Sequence, residues 1–204
     1  MAEDDLSSLH KRIFATMALM PEESSFDPCS LPSMLIDLEN TSTPRENSRD
    51  PKPKVESNGL YILLSNTGFR DKFHWGLFVA QNHTSGILYH QAIAGLEWKF
   101  IIETADVTES PRLLLALKIG VIDRVNDEWI QAIKTCVREV EVEEEFTCRT
   151  WLLAAVYQLA LQGYIGLQPD WDCVHKIEEE AKRLAQDAFH MGTSIVVDSE
   201  MYAL

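Results

Sequence analysis

The chain has 204 residues, of which 46% are hydrophobic and 25% charged, which favours one sizeable buried core rather than two. Its formal charge of -14 argues against nucleic acid and anionic membranes as partners, because their phosphate groups would repel it. No apolar stretch approaches the roughly 20 residues that cross a bilayer.

The cysteines point to a reducing compartment. Cys29, Cys136, Cys148 and Cys173 show no paired or clustered spacing, and the start MAEDDLSS lacks the basic and then apolar pattern of an export signal. We therefore predict a cytoplasmic protein with reduced thiols. No second Cys/His pair accompanies Cys173 and His175 at zinc spacing, so we predict no metal and no cofactor.

The character of the chain changes near residue 57. Residues 21–57 are dense in Pro, Ser, Asn and charge, which predicts a disordered tether. Before the tether, apolar residues recur at helical spacing and predict a short amphipathic helix that docks on the domain or on a protein partner. These residues are Leu6, Leu9, Ile13, Met17 and Met20. Residues 58–204 are predicted to form a single domain.

Strand patterns come first in that domain, and helix patterns follow. Short segments rich in β-branched and aromatic residues predict strands at 60–65, 73–80, 86–92, 98–104 and 113–122. Helical patterns follow at 127–140, 148–161 and 170–192, with Thr147 as an N-cap and Gly192 as a C-cap. This order predicts an α+β fold, in which an antiparallel sheet packs against helices.

One cysteine stands at a predicted helix start. Cys148 would follow the N-cap, where unpaired backbone N–H groups and the helix dipole stabilise an anion. Thiolate is the nucleophilic form, and such positions lower a thiol pKa from its usual ~8.5. The positive charge of Arg149 would also lower the pKa of the Cys148 thiol. The negative charges of three nearby residues would raise it: Glu143, Glu144 and Glu145. The alternative is an unreactive core thiol, because cysteine is often buried.

Two histidines, His74 and His90, interrupt strands that are otherwise apolar. His74 shares a strand face with Gly76, which leaves open space beside the ring. If the two strands form a hairpin across QNHTSG, both imidazoles lie on one face, and we predict that the helix of Cys148 packs against that face. The three side chains would then act as nucleophile, base and orienting group. The alternative for each histidine is a hydrogen-bonded structural role.

The segments HWGLFVA, LYHQAI and FTCRTWLLAAVYQL resemble the circularly permuted papain-like superfamily, which includes lecithin retinol acyltransferase and related thiol peptidases. In that group the strand histidine precedes the cysteine, as it does here. The resemblance covers about residues 58–165 and is closest to uncharacterised fungal members. It implies a circularly permuted papain-like arrangement, with Cys148 as nucleophile, His74 as general base and His90 as the polar third member.

Chemistry and resemblance together predict a thiol-dependent acyl hydrolase or acyltransferase with a Cys-His dyad. The substrate would be a small-molecule or peptide acyl or amide compound. The alternative is a non-catalytic interaction module of the same fold, whose acidic surface and N-terminal segment would bind a protein partner.

Overall fold

A computed structural model describes residues 52–69 and 71–202. The predicted helix at 6–20 and most of the predicted tether at 21–57 lie outside the described residues. Within them the fold is α+β, with a six-stranded mixed sheet and three helices.

The sheet is built from strands β1 (Gly59–Asn66), β2 (Phe73–Ala80), β3 (Ser85–Ala94), β4 (Glu97–Asp106), β5 (Leu113–Val121) and β6 (Ile195–Asp198). Their spatial order is β4-β3-β2-β1-β5-β6. The first five strands pair antiparallel, as predicted, and β1 to β4 form a meander. Strand β6 pairs parallel to β5 and was not predicted, so a wholly antiparallel sheet was wrong.

The helices are α1 (Asp127–Arg138), α2 (Cys148–Leu161) and α3 (Trp171–Met191). Helix α2 begins at a capping box: the Thr147 hydroxyl accepts from the backbone N–H of Thr150, and the Thr150 hydroxyl accepts from that of Thr147. Helix α3 ends at Gly192, whose φ of 66° favours glycine. Both predicted caps are confirmed.

Side chains alternate between the two faces of the sheet, and each face has its own apolar cluster. The helix face packs against α2 and α3 and includes Trp75, Leu77, Val79, Tyr89 and Leu115. The opposite face carries a smaller cluster that includes Tyr61, Leu63, Phe78, Val107 and Ala116. Helix α2 contacts β2, β3 and both of the other helices, which explains why most of its residues are buried.

The domain begins earlier than residue 58. Val55 is buried in the cluster of the opposite face, and its N–H donates to the carbonyl oxygen of His83 at 3.0 Å. The next residue, Glu56, accepts a hydrogen bond from the buried Lys118 ammonium at 2.5 Å. Residues 55 and 56 therefore belong to the packed domain rather than to a tether.

Glycine permits a close approach between β2 and β3. A Cβ atom built on Gly86 would lie 2.1 Å from the carbonyl oxygen of Val79, which is too close for any side chain. Gly86 therefore allows β2 and β3 to approach each other closely enough to form a hairpin. These two strands carry the two histidines.

Candidate active site

His74 and His90 meet on the opposite face of the sheet, near the start of β2. The register pairs Gly76 of β2 with His90 of β3, so the two histidines are diagonal neighbours. The Nε2 atom of His74 lies 2.9 Å from Nδ1 of His90, with the ring centroids 5.0 Å apart. The two imidazoles share one face, as the hairpin argument predicted.

A carboxylate extends this pair. Glu103 on β4 places Oε1 3.4 Å from Nε2 of His90. That separation exceeds an ordinary N–H···O distance of about 2.7–3.2 Å, and Nε2 of His90 is a buried nitrogen without a hydrogen-bond partner among the described residues. The contact is therefore electrostatic rather than a well-formed hydrogen bond. Sequence reasoning did not single out Glu103.

These partners define which ring nitrogens carry protons. A carboxylate only accepts, so Glu103 favours a proton on Nε2 of His90 and leaves Nδ1 of that ring as an acceptor. Nε2 of His74 then donates to it. The remaining nitrogen of His74, Nδ1, has an open lone pair and can accept a proton from a reacting group.

Both histidines are neutral at neutral pH. Burial, reinforced by repulsion from His90, lowers the pKa of His74 from 6.5 to about 4. Burial also lowers the pKa of His90, and the Glu103 carboxylate opposes that effect. The low pKa keeps His74 in the unprotonated form that a general base requires.

The lowered pKa of His74 predicts that acid destabilises the fold. The unfolded chain binds more protons than the folded one between pH 6.5 and about 4, so stability is fully present above 6.5 and falls across that window. His74 alone contributes about 3 kcal/mol to this fall. Urea unfolding at a series of pH values measures it, and His74→Asn should flatten the slope. An unchanged slope in that variant would contradict the assignment.

A small cavity of about 60 Å³ lies beside the ring of His74. At about 30 Å³ per water molecule, it has room for about two waters. Ser65 of β1 lines the cavity and is the direct cross-strand partner of His74. Gly76 also lines it, and a Cβ there would come within 2.7 Å of a Leu88 methyl group. Ser65 was missed because its role depends on the β1–β2 register.

The structure does not bring Cys148 into this cavity. Cys148 is the first residue of α2 and packs against the cluster of the helix face, together with Phe73. His74 follows Phe73 in β2, so its side chain points to the opposite face. The two histidines therefore come together as predicted, whereas the Cys148 side chain lies on the other side of the sheet. The prediction that α2 packs on the histidine face is wrong.

The other histidines among the described residues lie on the surface. His83, His175 and His190 are all exposed. Within residues 52–69 and 71–202, no three His, Cys, Asp or Glu side chains are grouped to hold a metal ion. None of the helices in the same residues is long and apolar enough to span a bilayer.

The model of a protein family of unknown function matches residues 60–166 of the chain. The chain belongs to the DUF6540 family. The DUF6540 match spans just over half of the 204 residues and contains Ser65, His74, His90, Glu103 and Cys148. It ends before α3 and β6. Neither the curated proteins nor the solved structures contain a match to the chain.

Proposed function

We propose that the protein is an acyl hydrolase or acyltransferase that acts on a small acyl or amide substrate, with His74 as its general base. The observation that supports this is the chain of contacts from Glu103 through His90 to His74. It leaves Nδ1 of His74 unprotonated beside a cavity that can admit a reacting group. The circularly permuted papain-like arrangement is part of the proposal, because the histidine strands precede the cysteine helix in the chain.

In this mechanism His74 takes the proton of a nucleophile as that group attacks the acyl carbon. The bond between the acyl carbon and the leaving group then breaks, and His74 returns the proton to the leaving group. Water or a second acceptor resolves the acyl-enzyme. His90 holds the ring of His74, and Glu103 stabilises the imidazolium through His90 as charge develops.

Two side chains compete for the role of nucleophile. Resemblance implies Cys148, whose sulfur would have to come within about 3–4 Å of a His74 ring nitrogen around the start of β2. The register favours Ser65, which lies opposite His74 in the same cavity. The proposal requires one of the two to carry the acyl group.

Acyl trapping distinguishes them. The purified protein is incubated with an activated aryl ester, and intact mass and peptide mapping locate the acyl group. We expect one acyl group per chain. If Cys148 carries it as a thioester, Cys148→Ala abolishes the labelling; if Ser65 carries it as an ester, Ser65→Ala does. Hydroxylamine releases a thioester much faster than an ester. Cys136→Ser is the matched control, because burial raises the pKa of that thiol.

Each result has a defined meaning. Acyl transfer to Cys148 supports the thiol enzyme, and transfer to Ser65 supports a hydroxyl nucleophile with the same base. Equal labelling of Cys136, Cys148 and Cys173, with ester turnover unaffected by His74→Ala, would overturn the proposal and favour the non-catalytic module.

A further inference from the structure

A second and much larger cavity lies on the helical side of the molecule, away from the histidine pair. It has a volume of about 1100 Å³. Its walls come from α1, the segment 139–144 that leads toward α2, the outer side of α2 and the start of α3. We call it the helical groove. Its volume is slightly above the usual range of about 300–1,000 Å³ for small-ligand sites and suits several side chains of a peptide.

Stacked aromatic rings line part of the helical groove. The rings of Tyr157 and Trp171 stack with centroids 4.9 Å apart and an angle of 6° between their planes. His175 lies 5.8 Å from Trp171, and 44% of Trp171 is exposed. A large, half-exposed tryptophan held by a stacked neighbour offers a flat surface for an apolar or cationic group.

Acidic residues also line the groove. The described residues that line the groove include Glu139, Glu141, Glu143 and Glu144, but neither lysine nor arginine. Glu144 lies 3.7 Å from Arg149, whose guanidinium also binds the buried Glu178 at 2.6 Å. Within the described part of the chain, no ion pair neutralises the other three glutamates. The groove therefore has a negative potential beside an aromatic surface.

Apolar side chains also line the groove, and we call Val140, Val142, Leu153 and Ala154 its floor. A ligand that matches this arrangement carries positive charge along one side and an apolar group along the other. Basic amphipathic helices have that composition, and such helices bind grooves through apolar anchors spaced along one face.

We propose that the helical groove binds a basic amphipathic segment of a partner protein. Lysine or arginine side chains of the partner lie against Glu139, Glu141 and Glu143, with one cation over the ring of Trp171. Its apolar side chains contact the floor of the groove. This site is separate from the histidine pair and does not depend on the proposed enzyme activity.

Fluorescence anisotropy of labelled synthetic peptides tests the proposal. The probe is a helix-forming Lys/Leu peptide with leucines at helical spacing, and its counterpart has every lysine replaced by glutamate. We expect the full-length protein to bind the basic peptide at least about tenfold more tightly than the acidic one, and added salt to weaken the binding. Equal affinity for the two peptides would overturn the proposal.

Variants then locate the site. Glu141→Gln with Glu143→Gln is expected to weaken binding about three- to tenfold, and Trp171→Leu about two- to fivefold. The matched control is Glu97→Gln with Glu179→Gln, which removes the same charge from exposed positions outside the groove. If the control variant weakened peptide binding as much as the groove variant, binding would depend only on the net charge of the protein, and the proposed site would be refuted.

Two further measurements test whether the groove is independent of the histidine site and whether a second copy of the chain fills it. Ester turnover should be unchanged in Trp171→Leu, so failure of the enzyme proposal leaves this test intact. Analytical ultracentrifugation tests whether a second copy of the chain fills the groove. Concentration-dependent dimers that disappear in Trp171→Leu would replace the proposed partner with self-association and overturn the inference.

Discussion

Replacing His74 with alanine is expected to lower kcat/KM for an activated ester by about 10²- to 10⁴-fold, the usual contribution of a positioned general base. The wild-type rate should decline only as the pH approaches about 4, where His74 becomes protonated, rather than near 6.5. Steady-state kinetics across this pH range measure both effects. A decline centred near 6.5 would show that a different, unperturbed histidine limits the reaction.

The control for His74→Ala must separate lost chemistry from lost structure. His74→Gln preserves more of the side-chain volume but cannot act as a base, so it should be nearly as inactive while unfolding at a urea concentration close to that of the wild type. Glu103→Gln acts only through His90 and should lower kcat by less, with KM unchanged. Full activity of His74→Gln would remove His74 from the mechanism.

Replacing Trp151 with alanine is expected to destabilise the fold by about 3–5 kcal/mol. Trp151 is 1% exposed, lies between the sheet and α1, and stacks obliquely on Phe100 at a centroid distance of 5.7 Å. Its Nε1 also donates to the carbonyl oxygen of Val137 at 3.0 Å, which ties α2 to α1. Urea unfolding monitored by far-UV circular dichroism measures the loss.

A conservative replacement divides this effect into packing and hydrogen bonding. Trp151→Phe retains much of the apolar contact but leaves the Val137 carbonyl without its donor, which should cost about 1–3 kcal/mol. If Trp151→Phe were as unstable as Trp151→Ala, the hydrogen bond rather than the ring packing would dominate the link between α1 and α2.

Much of the architecture could be predicted because local signals were strong. The bounds of β2 and α2 match the prediction to the residue. In β2 the residues Phe73, Trp75, Leu77 and Val79 form a wholly apolar face, and in α2 the N-cap Thr147 precedes an almost wholly apolar helix. Strand β6 was not predicted because its four residues, two of which are exposed, give too short a pattern. Only its parallel pairing with β5, which is distant in sequence, defines it as a strand.

The site was harder to predict because it depends on register and on which face the helices cover. Glu103 resembles any exposed glutamate, and only the pairing of β3 with β4 brings it to His90. The position of Cys148 could have been predicted from the difference in apolarity between the two faces of β2. Trp75 and its alternate neighbours in β2 are more apolar than the set that contains His74, so an apolar helix packs on the former.

The strand order has a consequence for synthesis on the ribosome. Strands β1 to β4 are neighbours in both sequence and space, so they can pair as soon as they emerge. The buried side chains of α3 cover β5 and β1 but come after every strand except β6. In a nascent chain the helix face of β5 and β1 therefore lacks its cover until α3 is complete, and exposed apolar surface of that kind favours aggregation.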